Sequence, residues 1–302
     1  MESSIMHETI RQQLKQKNAI LLAHNYQPPE IQDVADMCGD SLELSIRAGK
    51  TDADIIVFCG VHFMAETASI VSPQKTVLLP KTDAGCPMAD MITPEDLIEK
   101  KKTLPGVPVV TYVNSPASVK ALSDICCTSA NAVKVVNSLP DQSVLMTPDK
   151  NLAHYTSRHT SKKIHFWDGY CPIHHHLLPE MLAETKDKHP HAIVLAHPEC
   201  RSEILDMADA ILSTSGMLKY VADATAQLFI IATEYGLIYP LKKNNPNKEF
   251  ISASHILKCP DMKKITLPDI IETLDTLSPE IRVPDDIQRA AREAVERMIA
   301  IL

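Results

Sequence analysis

Three cysteines in this chain are followed directly by proline, and those three are evenly spaced. Cys86-Pro87, Cys171-Pro172 and Cys259-Pro260 lie 85 and 88 residues apart. A second series keeps similar time. The polar clusters His24-Asn25-Tyr26, Tyr112-Val113-Asn114 and His197-Pro198-Glu199 each follow a short apolar run. One order of features recurring at one period marks an internal repeat. The chain therefore reads as three small α/β units over residues 1–86, 87–171 and 172–260, followed by a helical segment over 261–302. The helix expected over 280–302 is assigned to pack with the first unit.

Short apolar runs alternate with helical patterns, as in parallel sheets covered by helices on both faces. Strands are expected over 19–23, 55–59 and 76–79, then 107–113, 144–146 and 164–167, then 192–196, 210–212 and 250–253. Beyond Cys259 the pattern turns helical. Pro284-Asp285-Asp286 opens a helix with proline in its first turn and acids at the positive end of its dipole. Ile287, Ala291, Ala294, Val295 and Met298 form the apolar face of that helix. One continuous doubly wound sheet is the alternative, and the even spacing favours three units around a pseudo-threefold axis.

Such an axis brings equivalent residues together, so Cys86, Cys171 and Cys259 are expected to meet. Three thiolates suit a soft metal centre and leave one coordination position open for a substrate oxygen. Zinc and an iron–sulfur cluster with one free iron both fit, and cysteine before proline leans toward the cluster. The other five of the eight cysteines, Cys38, Cys59, Cys126, Cys127 and Cys200, read as small apolar filler. The polar start of the chain lacks the apolar core of a secretory signal, so a reducing cytoplasm is the expected compartment and metal binding is favoured over disulfides.

Ligands of open α/β units bind beyond the carboxyl ends of the strands. His24, Tyr26, Tyr112, Asn114, His197 and Glu199 therefore face the region of the cysteines, a set suited to proton transfer. Hydroxyls at helix starts, in Asp40-Ser41, Thr128-Ser129 and Ser213-Thr214-Ser215, form a further layer. They either cap their helices or help the free N–H groups hold an anion. A net charge of -8 excludes nonspecific nucleic-acid or anionic-membrane binding. An anionic substrate would need such helix ends. Of the run His174-His175-His176, only one histidine can face a single site, and His174 is nearest the cysteine.

These residues resemble the quinolinate synthase family, A-type. The matching stretches are Ala23-His24-Asn25-Tyr26-Gln27, Gly85-Cys86-Pro87-Met88-Ala89-Asp90-Met91, Thr111-Tyr112-Val113-Asn114, Cys127-Thr128-Ser129-Ala130-Asn131-Ala132, His197-Pro198-Glu199-Cys200, Ser213-Thr214-Ser215-Gly216-Met217 and Cys259-Pro260-Asp261-Met262-Lys263. They run in order along nearly the whole chain.

The resemblance implies three similar domains around a pseudo-threefold axis with the active site at the centre. It implies one 4Fe-4S cluster held by Cys86, Cys171 and Cys259 with one open iron, acting as a Lewis acid. The implied reaction condenses iminoaspartate with dihydroxyacetone phosphate to quinolinate, phosphate and water, in NAD biosynthesis. An aspartate-oxidising enzyme would supply the iminoaspartate. Substrate contacts fall on His24, Ser41, Tyr112, Val113, Asn114, Ser129, His174, His197, Pro198, Glu199 and Thr214. Tyr26 serves a proton-transfer step and Glu199 a general base. Here Pro-Asp-Met follows Cys259, so the extra cysteines of some relatives, and their redox sensitivity, are not expected. His176 stands where relatives often carry an acid and receives no role. A zinc hydrolase with Glu199 as base and an iron–sulfur sensor remain as contrasting readings. A sensor needs no ring of acid–base groups.

Overall fold

The computed structural model describes residues 2–301. Among these residues, twelve strands form three four-stranded, all-parallel sheets. The first sheet contains β1 (Ala19–His24), β2 (Met37–Gly39), β3 (Ile55–Cys59) and β4 (Thr76–Leu78). The second contains β5 (Val109–Tyr112), β6 (Ile125–Cys127), β7 (Ser143–Thr147) and β8 (Lys163–Phe166). The third contains β9 (Ile193–Ala196), β10 (Ala210–Ile211), β11 (Leu228–Ala232) and β12 (Glu249–Ser252). Their orders, β2-β1-β3-β4, β6-β5-β7-β8 and β10-β9-β11-β12, are the same topology three times. The central strands are aliphatic and buried on both faces, as parallel sheets require.

The expected repeat of three α/β units is present, but each unit has four strands, not three. The edge strands β2 and β6 are too short to show as apolar runs. In the third unit the expected strand over 210–212 is this edge element. The central strand β11, a clear apolar run, was not among those expected. The register of the repeat is carried by an aspartate just before each edge strand. Asp36, Asp124 and Asp209 accept the backbone N–H of Leu21, Val109 and Val194 at 2.8, 2.7 and 2.7 Å. Each aspartate also donates its own N–H to the carbonyl of the same residue. Two reciprocal bonds fix where a two- or three-residue strand joins its neighbour.

The chain then returns to the first unit. Ile281 donates its N–H to the Val77 carbonyl, and Leu79 donates to that of Pro279, covering the edge at β4. The last helix, Asp285–Ile299, buries Ala291, Ala294, Val295 and Met298, while Ile287 is half-buried. It packs against the helix His62–Val71 of the first unit and against the helix Ala117–Lys120 and β6 of the second, so it lies across both units and not on the first alone.

Candidate active site

Residues at the carboxyl ends of all three sheets line one cavity of about 210 Å³. β1, β5 and β9 each run into a three-residue cluster that turns or bends away from the strand, with Gln27 and Cys200 donating N–H to the carbonyls of His24 and His197. The first and third members of each cluster line the cavity: His24 and Tyr26, Tyr112 and Asn114, His197 and Glu199. Among the expected contacts, the middle members Val113 and Pro198 do not line it. Val113 instead packs in the apolar core. Ser41 and Thr214 reach the same cavity as the first residues of their helices, and Ser129 from the turn that precedes the helix Ala132–Ser138.

Cys86, Cys171 and Cys259, one from each unit, complete the lining. Each cysteine precedes a proline that leads into a short helical turn. The backbone N–H groups of Met88 and Ala89 beside Cys86, of His174 beside Cys171, and of Asp261 and Met262 beside Cys259 favour the thiolate. Cys171 directly precedes its helix and Pro172 takes the first helical position, where its missing N–H costs nothing, whereas the turns after Cys86 and Cys259 become helical only at Ala89 and Asp261. Burial pushes all three thiols up, Cys86 to about 12, so their protons must leave when metal binds. The other five cysteines do not line the cavity. Cys59, Cys126, Cys127 and Cys200 are buried and Cys38 is half-buried.

Glu199 is the polar centre. Tyr112 donates its O–H to Glu199 Oε1 at 2.6 Å, and His174 Nδ1 lies 2.7 Å from Oε2. Burial works to raise the Glu199 pKa. His197, His174 and the hydrogen bonds from His174 and Tyr112 outweigh it and hold the carboxyl below its usual range. Burial, Glu199's charge and its hydrogen bond to Glu199 keep Tyr112 protonated well above a normal phenol.

His24 and His197 have matching local geometry: each Nδ1 accepts the backbone N–H two residues on, from Tyr26 at 3.2 Å and Glu199 at 3.4 Å. That leaves Nε2 as the N–H donor of each ring. Burial, with His197 and Lys263 nearby, pushes His24 down to about 3. Burial likewise brings His197 to about 3 against the pull of Glu199. Both are neutral donors at neutral pH.

His174 alone of the histidine run enters the cavity, stacked on His197 at 4.7 Å between ring centroids. His175 turns away to Asn151 and Arg201. Sequence reasoning missed Thr233, whose hydroxyl bonds both the Tyr26 hydroxyl (2.5 Å) and His174 Nε2 (2.9 Å). It also missed Asp149 and Glu234, which take up the backbone N–H of Cys171 and Cys259. The available signal was their position: each lies just past the second central strand of its unit.

The family described as quinolinate synthetase A protein matches residues 8–300. The chain is 56% identical over 301 residues to the quinolinate synthase of Geobacter metallireducens, covering 100% of this chain and 99% of that protein. It is 51% identical over 300 residues to that of Methanoregula boonei, covering 99% of each. The chain belongs to the quinolinate synthase family. The family match takes in every cavity residue discussed above, from His24 to Asp261 and Met262. Among the described residues of this family member, no helix is long and apolar enough to cross a membrane. The one described set of three donor atoms lying within 4.8 Å of one another is Cys171, His174 and Glu199.

Proposed function

We propose that this chain condenses iminoaspartate with dihydroxyacetone phosphate, releasing quinolinate, phosphate and water, with a 4Fe-4S cluster on Cys86, Cys171 and Cys259. The observation that carries the reading is the meeting of one Cys-Pro turn from each unit at a single cavity beside the Glu199 carboxylate. The donor set fits such a group: three thiols, one from each unit, beside backbone N–H groups that favour their thiolates, and no fourth cysteine in the lining. When bound, the cluster supplies a Lewis-acidic iron with an open position.

The protein's own groups bind the substrates and move the protons. Both substrates are anions. Ser41 and Thr214 meet them at the first positions of their helices, where the dipole favours negative charge, and Ser129 from the turn before its helix. Asn114 Oδ1 is buried without a partner and accepts a hydrogen bond from substrate. Glu199, ionised and aimed by Tyr112 and His174, takes a proton from substrate carbon. Tyr26, held by Thr233, returns a proton to a leaving hydroxyl. His24 and His197 donate through Nε2 without changing charge. An aspartate-oxidising reaction in the cytoplasm is the fitting source of the unstable imine.

A single zinc ion on Cys171, His174 and Glu199 is the second reading, favoured by their mutual distances. It leaves Cys86 and Cys259 without a role and breaks the hydrogen bonds that aim Glu199. The deciding assay incubates anaerobically purified protein with both substrates and follows quinolinate absorbance and phosphate release together. Equal amounts of the two products, dependent on both substrates, are expected. A cluster-loaded protein that makes no quinolinate overturns the reading.

A further inference from the structure

The three cysteine turns are anchored alike by backbone and unlike by side chain. In each unit a residue past the second central strand donates its N–H to the carbonyl two residues before the cysteine: His62 to Ala84, Lys150 to Gly169, Tyr235 to Leu257. The residue before each donor differs: Val61, Asp149 and Glu234.

Asp149 is fully enclosed, and its two oxygens serve two donors: Leu152 N–H at 2.7 Å on Oδ1 and Cys171 N–H at 3.2 Å on Oδ2. Glu234 does the same in the third unit, with Gly236 N–H at 2.8 Å on Oε2 and Cys259 N–H at 3.1 Å on Oε1. Glu234 is also ion-paired with Lys263 at 2.9 Å, and Lys263 donates to the Tyr26 carbonyl of the first unit. At the corresponding place the first unit has only the apolar Val61.

We infer that Asp149 and Glu234 are positioning residues for metal binding, each fixing one cysteine through its backbone N–H, while Cys86 is placed by backbone alone. The inference rests on the reading of the three cysteines as cluster ligands. Partners that orient a metal ligand are typically worth about 10- to 100-fold in metal affinity. Neither acid can be replaced by its amide. A carboxamide keeps one acceptor oxygen and turns an NH₂ toward the second N–H.

The test compares Asp149→Asn and Glu234→Gln with Asp209→Asn in reconstituted protein, following iron release to a chelator and the electron paramagnetic resonance of the reduced cluster. Asp209 is the matched control, because its carboxylate also accepts a backbone N–H but at a strand edge. Expected are iron release at least about tenfold faster and altered spectra in both site variants, with Asp209→Asn matching wild type in both readouts even where its melting temperature falls. Wild-type release from Asp149→Asn and Glu234→Gln, or equal acceleration in Asp209→Asn, overturns the inference. If Asp149→Asn does not fold, Glu234→Gln decides alone. Failure of the wild-type chain to take up any cluster overturns the ligand reading itself, and so is told apart from failure of this inference.

Discussion

The Tyr112 hydroxyl of the second unit donates to the Glu199 carboxylate of the third at 2.6 Å, inside the cavity and away from solvent. The bond ties two repeats together and aims the one buried carboxylate that faces His174. Tyr112→Phe keeps the ring and removes the donor. A hydrogen bond to a charged group contributes about 1.5–3 kcal/mol, so kcat is expected to fall roughly 10- to 100-fold. Steady-state quinolinate formation checks this, and a variant within twofold of wild type contradicts the assignment.

A second link between units lies near the surface. Asp33 of the first unit accepts Tyr239 O–H at 2.7 Å and lies 2.5 Å from Lys243 Nζ, both of the third unit. Burial favours a higher Asp33 pKa, but the hydrogen bonds from Lys243 and Tyr239 and the Lys243 charge hold it below the ordinary value. A depressed folded pKa gives stability that is present above the unfolded value of about 3.9 and is lost as pH falls through the folded one. Asp33→Asn is therefore expected to be slightly less stable than wild type at pH 7, with the gap closing below about pH 4. Solvent screening keeps the effect small. Urea midpoints at several pH values measure it, and a gap that widens on acidification contradicts the sign.

The last helix is a different kind of link. Met298 is fully buried where this helix crosses from the first unit to the second, and its carbonyl accepts Asn131 Nδ2 at 3.3 Å. Met298→Ala leaves the backbone bond and opens a cavity, at a cost of about 2–5 kcal/mol. Thermal unfolding of the variant tests this. A loss under about 1 kcal/mol means that the helix end collapses into the space.

The threefold order was legible because Cys-Pro is a local device. The proline leads into a short helical turn after each cysteine, so a turn signal and a ligand signal coincide in two letters. The polar clusters were legible for a similar reason, since His24 and His197 sit where buried strands stop. What stayed hidden depends on partners distant in sequence. Thr233 gains its role only through contacts with Tyr26, 207 residues away, and His174, 59 residues away. Asp149 reads as an ordinary helix cap, which it also is. The edge strands β2 and β6, with three residues each, have too little apolar length to register, and only Asp36 and Asp124 mark their starts. Val113 and Pro198 show the limit of carrying over whole motifs, because the bend or turn after each strand faces its middle residue away from the cavity.

The central claim is that Cys86, Cys171 and Cys259 together hold one cluster and the other five cysteines do not take part. Iron and acid-labile sulfide content of anaerobically purified protein, measured beside Cys86→Ser, Cys171→Ser, Cys259→Ser and Cys126→Ser, tests it most directly. The account predicts about four iron and four sulfide per chain in wild type and Cys126→Ser, and loss of the cluster in each of the other three. One zinc per chain without sulfide, or loss of the cluster in Cys126→Ser, contradicts it.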